Sequence, residues 1–357
     1  MFRTVSSAKP MRDQVEDYIV SLQDQIVSAF ETLDPVAPKF KRDSWVRPQG
    51  GKGQSCVFAC PADDPSVAHD SILEKAGVNI SIVHGVLPPA AIKQMRADHT
   101  STPLPNRPEG LPFFAAGISL VIHPRNPHAP TVHANYHYFE ITEPVDKDQP
   151  DPEPPSVLAW WFGGGCDLTP SYLYEDDAVH FHKTIKNACD KHGPQLYPEF
   201  KKWCDQYFYI PHRNESRGIG GIFFDDLNGG PHVRLNSPNA PDATRRPTSP
   251  AEIFSLIQDL GNAFIPSYLP ILETRSSLPS TPSERRWQLL RRGRYVEFNL
   301  VYDRGTKFGF TTPGARIESV LMSLPETARW EYMSEMGEEG TEEAKLVRVL
   351  KKPKEWV

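Results

Sequence analysis

The chain has 357 residues, a net charge of −6, a pI near 6.1 and a hydrophobic fraction of 39%. No apolar run approaches the roughly 20 residues that a bilayer crossing needs, so no transmembrane helix is expected. The acidic balance argues against nucleic acid as a partner, because such binders need a positive field to release counterions from phosphate.

Cys56, Cys60, Cys166, Cys189 and Cys204 form an odd set without paired Cys-x-x-Cys motifs. They suit a reducing, cytoplasmic setting better than a disulfide framework or a structural zinc site. Residues 1–10 read as a flexible N-terminus. Arg3, Ser6 and Ser7 there give only a faint mitochondrial signature.

Residues 11–33 place Val15, Ile19, Leu22, Ile26, Phe30 and Leu33 at helical spacing, which predicts an amphipathic helix. Strands are expected at 44–46 and 55–58, joined by the Gly-rich turn 49–53, and again at 78–86. Residues 113–123 and 131–141 read as two further strands. Side chains alternate along a strand, so Ser119 and His123 share a face, as do His133, Asn135 and His137. Together they offer five polar groups to one cleft.

The proline-rich stretches 144–155 and 229–250 read as surface loops. Helices are expected at 175–192 and 198–209, a strand at 218–224 ending in Asp225 and Asp226, and helices at 251–272 and 283–292. A strand at 294–303 and a final core helix at 316–324 complete the reading. Strands and helices mix without strict alternation. The fold class that follows is α+β: a large, mostly antiparallel sheet sandwiched between helices, in one domain over 11–357.

Between Trp160 and Asn228 the chain concentrates Trp-Trp-Phe-Gly-Gly-Gly-Cys-Asp, His180-Phe181-His182, His212-Arg213-Asn214-Glu215-Ser216-Arg217-Gly218 and Phe223-Phe224-Asp225-Asp226. Aromatic, glycine, histidine, arginine and aspartate residues at this density suit a flat, multiply anionic ligand. With Thr131–Tyr136, the run 293–306 and residues 325–332, these segments closely resemble the oxygen-dependent coproporphyrinogen III oxidases, from about Tyr18 to Trp356.

The resemblance implies an enzyme that uses dioxygen to turn two propionates of coproporphyrinogen III into vinyl groups, giving protoporphyrinogen IX and carbon dioxide. It implies a homodimer formed through about 295–330, where Leu300, Leu321, Met322 and Leu324 supply apolar material, and no required organic cofactor. It makes His133 a proton donor, and Asp303 and Asp167 the carboxylates of the chemistry. Ser119, Asn135, Tyr136, His137, Gly314, Ala315 and Arg316 become substrate contacts. In the bacterial branch, His123, His133, His182 and His212 match metal-ligand positions, so a divalent metal is the alternative.

One position departs from the family pattern: His137 stands where arginine is usual. Imidazole cannot reproduce a bidentate guanidinium–carboxylate contact. A substrate with four carboxylates and four pyrrole N–H groups needs cationic forks, which Arg213, Arg217, Arg304 and Arg316 can supply. It also needs a central acceptor, for which Asp303 is expected at a strand end. Two other readings compete: a metal-dependent oxygenase built on the four histidines, and a noncatalytic tetrapyrrole binder in which His137 has cost activity.

Overall fold

The computed structural model describes residues 9–48, 50–60, 71–98, 104–105, 107–144, 155–235, 246–311 and 314–357. Its centre is a seven-stranded antiparallel sheet. The strands are β1 (Lys41–Val46), β2 (Gly51–Ala59), β3 (Leu73–Leu87), β4 (Leu111–Pro124), β5 (Thr131–Thr142), β6 (Val157–Thr169) and β9 (Gly221–Leu227), lying side by side in that order. A two-stranded hairpin of β7 (Tyr209–Ile210) and β8 (Glu215–Ser216) stands apart. The α+β sandwich expected from the sequence is therefore what forms.

One sheet face is apolar. Val78, Ile80, Ile118, Leu120, Val132, Ala134, Tyr136, Phe162, Cys166 and Ile222 are buried on it. It meets α1 (Met11–Leu33), α3 (Glu175–Asp190), α5 (Pro250–Asn262) and α6 (Phe264–Ser276). In α1 the stripe Val15, Ile19, Leu22, Ile26 and Phe30 is buried as the 3.6-residue period requires, and Gln23 donates across it to the carbonyls of Gln54 (3.1 Å) and Val78 (2.7 Å). Helix α4 (Leu196–Tyr207) runs along the β9 edge.

The opposite face carries the cleft. At one end α2 (Pro89–Asp98) covers it, with Ile92 buried against Leu87, Leu111, Ile141 and Trp161. At the other end lie α7 (Pro282–Val301), α8 (Arg304–Thr311) and the short α9 (Ile317–Leu321). Ser319 contacts the Ser55 hydroxyl (3.0 Å) and accepts from Asn79 (3.1 Å), while Met322 seats over Gly77, where a Cβ would come within 1.5 Å of its sulfur. The C-terminal α10 (Glu342–Lys351) follows.

Several expectations need correction. Residues 294–303 are not a strand: α7 runs unbroken from a Thr281/Glu284 capping box to Val301. Its buried set Trp287, Arg291, Tyr295, Phe298 and Asn299 is spaced by three and four. A short β-branched and aromatic run can hide that spacing. The helix expected at 251–272 is two, α5 and α6, parted at Ala263. The helix at 316–324 shrinks to α9, which is largely exposed, and it is not the last. Strand β6 and helices α2, α8 and α10 went unread. The expected loop 144–155 falls mainly outside the described residues, as do residues 236–245 of the expected loop 229–250.

Beneath α7, Glu74 is fully buried and accepts from Arg285 (2.8 Å), Arg292 (2.8 Å) and the Thr327 hydroxyl (3.1 Å). Burial alone would raise its carboxyl, but the Arg292 and Arg285 guanidiniums outweigh it and hold the group at about 2, against an ordinary value of 4.5. A depressed carboxyl stabilises the fold fully above its open-chain value, and the contribution drains as pH falls through the folded one. Glu74→Gln is thus expected to reduce, not abolish, the pH dependence of thermal stability between pH 4.5 and 2, since Asp225 and Glu297 are held equally low, as read by circular dichroism melts.

Candidate active site

The register lines up small residues across the open face. Gly53, Ser81, Gly117, His137 and Gly163 form one row from β2 to β6. The next row is Ser55, Asn79, Ser119, Asn135, Gly165 and Phe223, and the third holds Gly77, Val121, His133, Asp167 and Gly221. With strands about 4.8 Å apart and same-face residues about 6.8 Å apart, the first row spans roughly 19 Å and the three rows roughly 14 Å. The result is a surface of small and polar residues on which Ser81, Gly117, His137, Ser119, Asn135 and His133 are partly or fully exposed, while α9 and the residue after it cover Ser55 and Gly77. Its wall toward α2 is aromatic, with Phe113 stacked on Phe139 (5.5 Å) and Phe139 on Trp161 (4.6 Å).

His133 stands at the opposite rim. Its Nδ1–H donates to Asp167 Oδ1 at 2.8 Å, and its side chain is 22% exposed while Asp167 is 1% exposed. Asp167 Oδ2 accepts from Arg217 Nη2 at 2.7 Å, and Arg217 Nη1 donates to Asn299 at 2.9 Å. The Arg217 guanidinium lies over the rings of Phe208 (4.0 Å), Tyr295 (4.6 Å) and Phe298 (5.0 Å). Burial would raise the Asp167 carboxyl, yet Arg217 and then His133 outweigh it and keep it below its ordinary value. A carboxylate fixed in the ionised form accepts only, so it sets the imidazole tautomer and leaves Nε2 for the cleft.

At the β9 end, His137 Nδ1–H donates to Asn135 Oδ1 (2.8 Å), and Nε2 lies 3.7 Å from Asp225 Oδ1. Gly163 makes this possible, since a Cβ there would come within 2.4 Å of His137 Nε2 and 2.7 Å of Asp225 Oδ1. Arg304 donates to Asp225 Oδ2 (3.1 Å) and lies over Tyr207 and Phe223. Burial pushes the Asp225 carboxyl up, but the His137 contact and Arg304 prevail and bring it to about 2.

The expected residues separate into groups. Ser119, His133, Asn135 and His137 share the open face and are each partly exposed, as alternation requires. His123 belongs to that face but is fully buried, its ring nitrogens against Thr131 (3.2 Å) and the Ser323 carbonyl (3.0 Å). Tyr136 points the other way, into the core, with its hydroxyl on the Leu260 carbonyl (3.3 Å), so it does not line the cleft. Arg217 is corrected as well: 2% exposed and committed to Asp167, it is no propionate fork.

Arg213 also has a partner, donating twice to Glu297 (2.8 and 2.7 Å), which also accepts from Arg294 and Trp330. Asp303 is not at a strand end. It precedes α8, where Oδ2 accepts from the Thr306 amide (2.7 Å) and hydroxyl (2.8 Å) and Oδ1 from Tyr207 (2.9 Å). Gly314, Ala315 and Arg316 line an open cavity of about 500 Å³ beside β1.

The four histidines do not fit one coordination sphere. His182 on α3 is buried between the Tyr197 hydroxyl (2.8 Å) and the Ile219 carbonyl (3.2 Å), and burial lowers both it and His123 to about 3. His212 is held by Tyr302 and Glu297, both at 2.7 Å. Among the described residues no His, Cys, Asp and Glu cluster is arranged to hold a metal ion.

Asp225, expected only as a strand end, and Asn299, Phe208, Tyr295 and Phe298, which no sequence signal singles out, also build the site. Only the parity of β9 could have signalled Asp225, and a register irregularity near Gly163 obscures it.

A cleft lined by small and polar residues, with a carboxylate-held histidine at its rim and arginines at its ends, is an arrangement of the enzyme type. A model of coproporphyrinogen III oxidase matches residues 14–356, and the chain belongs to that family. An oxygen-dependent coproporphyrinogen-III oxidase of Drosophila melanogaster is 52% identical over 349 residues, 97% of this chain and 78% of that protein. The human mitochondrial one is 50% identical over 347 residues, covering 97% and 67%. A chloroplastic one of Glycine max is 49% identical over 351 residues, covering 98% and 81%.

Proposed function

We propose that this cleft carries out the aerobic oxidative decarboxylation of coproporphyrinogen III to protoporphyrinogen IX in haem biosynthesis. Family membership and relatives near 50% identity named for this activity support the reaction. One structural observation supports its placement: small residues of the sheet lie between an aromatic wall and the His133–Asp167 pair, which leaves room for a wide macrocycle beside a fixed imidazole.

In this reading the ring lies on the floor, with Ser119, Asn135 and the His137 edge beneath it. Arg304 and Arg316, at opposite ends, take propionates. His133 Nε2 handles protons beside the reacting side chain, while Asp167 acts through His133 rather than on the substrate, since both its oxygens are engaged. Asp303 holds the Tyr207 hydroxyl and the first turn of α8, which sets where Arg304 begins. Each step removes carbon dioxide, one proton and two electrons from a propionate; the electron-rich pyrrole relays the electrons to dioxygen, which with two protons leaves as hydrogen peroxide. No organic cofactor is then required.

We place the whole of 11–357 in one catalytic domain and assign it cytoplasmic residence, although relatives include mitochondrial and chloroplastic proteins. No helix among the described residues is long and apolar enough to cross a membrane. A homodimer is proposed through the exposed Leu300, Val301, Phe308, Phe310 and Leu321; Met322, by contrast, is buried.

The deciding experiment is aerobic incubation with coproporphyrinogen III and product analysis by mass. A loss of two formic-acid equivalents is expected. Binding of the tetrapyrrole without any vinyl product would reduce the protein to a carrier.

A further inference from the structure

Both ends of the cleft floor are closed by the same device. At the β9 edge, Asp225 holds Arg304 above Tyr207 and Phe223. At the β1 edge, Asp43 holds Arg316 at 2.7 Å, with the guanidinium 4.9 Å over the Trp45 ring. At the β1 edge a glycine of the floor row makes room for the platform side chain, since a Cβ on Gly53 would meet Trp45 at 2.3 Å; at the β9 edge Gly163 makes room for the carboxylate itself, since a Cβ there would meet Asp225 Oδ1 at 2.7 Å. The two outermost strands of one sheet thus each present a carboxylate to an arginine that reaches in from the α8–α9 side.

We propose that Asp43 is a placeholder carboxylate: in the free protein it occupies Arg316, and a substrate propionate displaces it. This rests on the reading of the cleft as a tetracarboxylate site and adds to it a positioning residue on β1. The chemistry is an exchange of one carboxylate for another on the same fork: the guanidinium stays paired in both states, and Asp43, 41% exposed, is left to solvent when the propionate takes its place. The Trp45 ring, 4.9 Å from the Arg316 guanidinium, gives it a surface to rest on that does not depend on Asp43. The surroundings permit the exchange, because Arg316 is 37% and Asp43 41% exposed and both border the open cavity of about 500 Å³. The device also filters ligands. A lone anion must compete with an aspartate already in place, whereas a ligand that engages His137, Arg304 and Arg316 together displaces it through its other contacts.

The test compares wild type, Asp43→Asn, Arg316→Ala and the double variant. Turnover of coproporphyrinogen III is measured alongside calorimetric binding of coproporphyrin III, the oxidised tetracarboxylate. An exposed pair limits the effect, so Asp43→Asn is expected to lower KM and Kd by about two- to fivefold while kcat stays within twofold. In the Arg316→Ala background the same change should do nothing. A rise or no change in both constants for Asp43→Asn would overturn the proposal, as would an equal gain without Arg316. Failure of the functional reading would look different: binding cycles would behave as stated while no variant, wild type included, released vinyl product.

Discussion

Arg217→Met is expected to destabilise the protein by about 3–5 kcal/mol, the cost of leaving a buried carboxylate without its countercharge. Asp167 is 1% exposed, and its two oxygens have one partner each, His133 and Arg217. Removing the guanidinium removes the strongest influence holding that carboxyl below its ordinary value. The group then takes up a proton at higher pH than before. A depressed carboxyl stabilises the native state fully above its open-chain value and loses that contribution once protonated, so the destabilisation should be greatest at neutral and higher pH and shrink on the acid side.

The double variant Asp167→Asn/Arg217→Met separates folding from function. A neutral amide facing a neutral thioether among Phe208, Tyr295 and Phe298 carries no buried charge, and most of the melting temperature should return. Turnover should not return with it. Thermal melts of the three proteins decide the matter; a single variant as stable as wild type would show that Arg217 is not what holds Asp167 charged.

The parts of this arrangement differ in how far sequence exposes them. Ser119, His133, Asn135 and His137 were legible as one face because alternation along a strand needs no tertiary information. Helix α1 was legible because its apolar period is long enough to exclude a strand. The run from Arg294 to Tyr302 was not, because Tyr, Val and Phe suit a strand locally and only packing on the sheet reveals the three-and-four spacing of Tyr295, Phe298 and Asn299. Arginine is usually exposed, so nothing local distinguishes the entombed Arg217 from the exposed Arg304. Histidines are equally ambiguous: His123 and His182 are core hydrogen-bonding groups, whereas His133 is a cleft residue. The sheet's register sorts them, and register is a property of neighbouring strands.

His133→Asn should lower kcat by about 10²- to 10⁴-fold, the usual range for loss of a positioned proton-transfer group, with KM changed only a few-fold. The argument turns on the two ring nitrogens. Nδ1 is tied to Asp167 at 2.8 Å, and the ring packs edge-on against Phe208 at 6.0 Å, so the imidazole is fixed in position before any substrate arrives. Its remaining nitrogen belongs to the cleft. Asparagine at 133 can still hydrogen-bond to Asp167 but presents no titratable nitrogen, so binding survives while proton transfer does not.

Asp167→Asn should fall between this variant and wild type. The amide can donate to Nδ1 as readily as accept from it, which permits the wrong tautomer without removing the ring. The ratio of the two losses is therefore informative. Equal losses would mean that orientation by Asp167 is all that makes His133 effective. A full loss in Asp167→Asn with near wild-type turnover in His133→Asn would transfer the chemistry from the histidine to the carboxylate behind it.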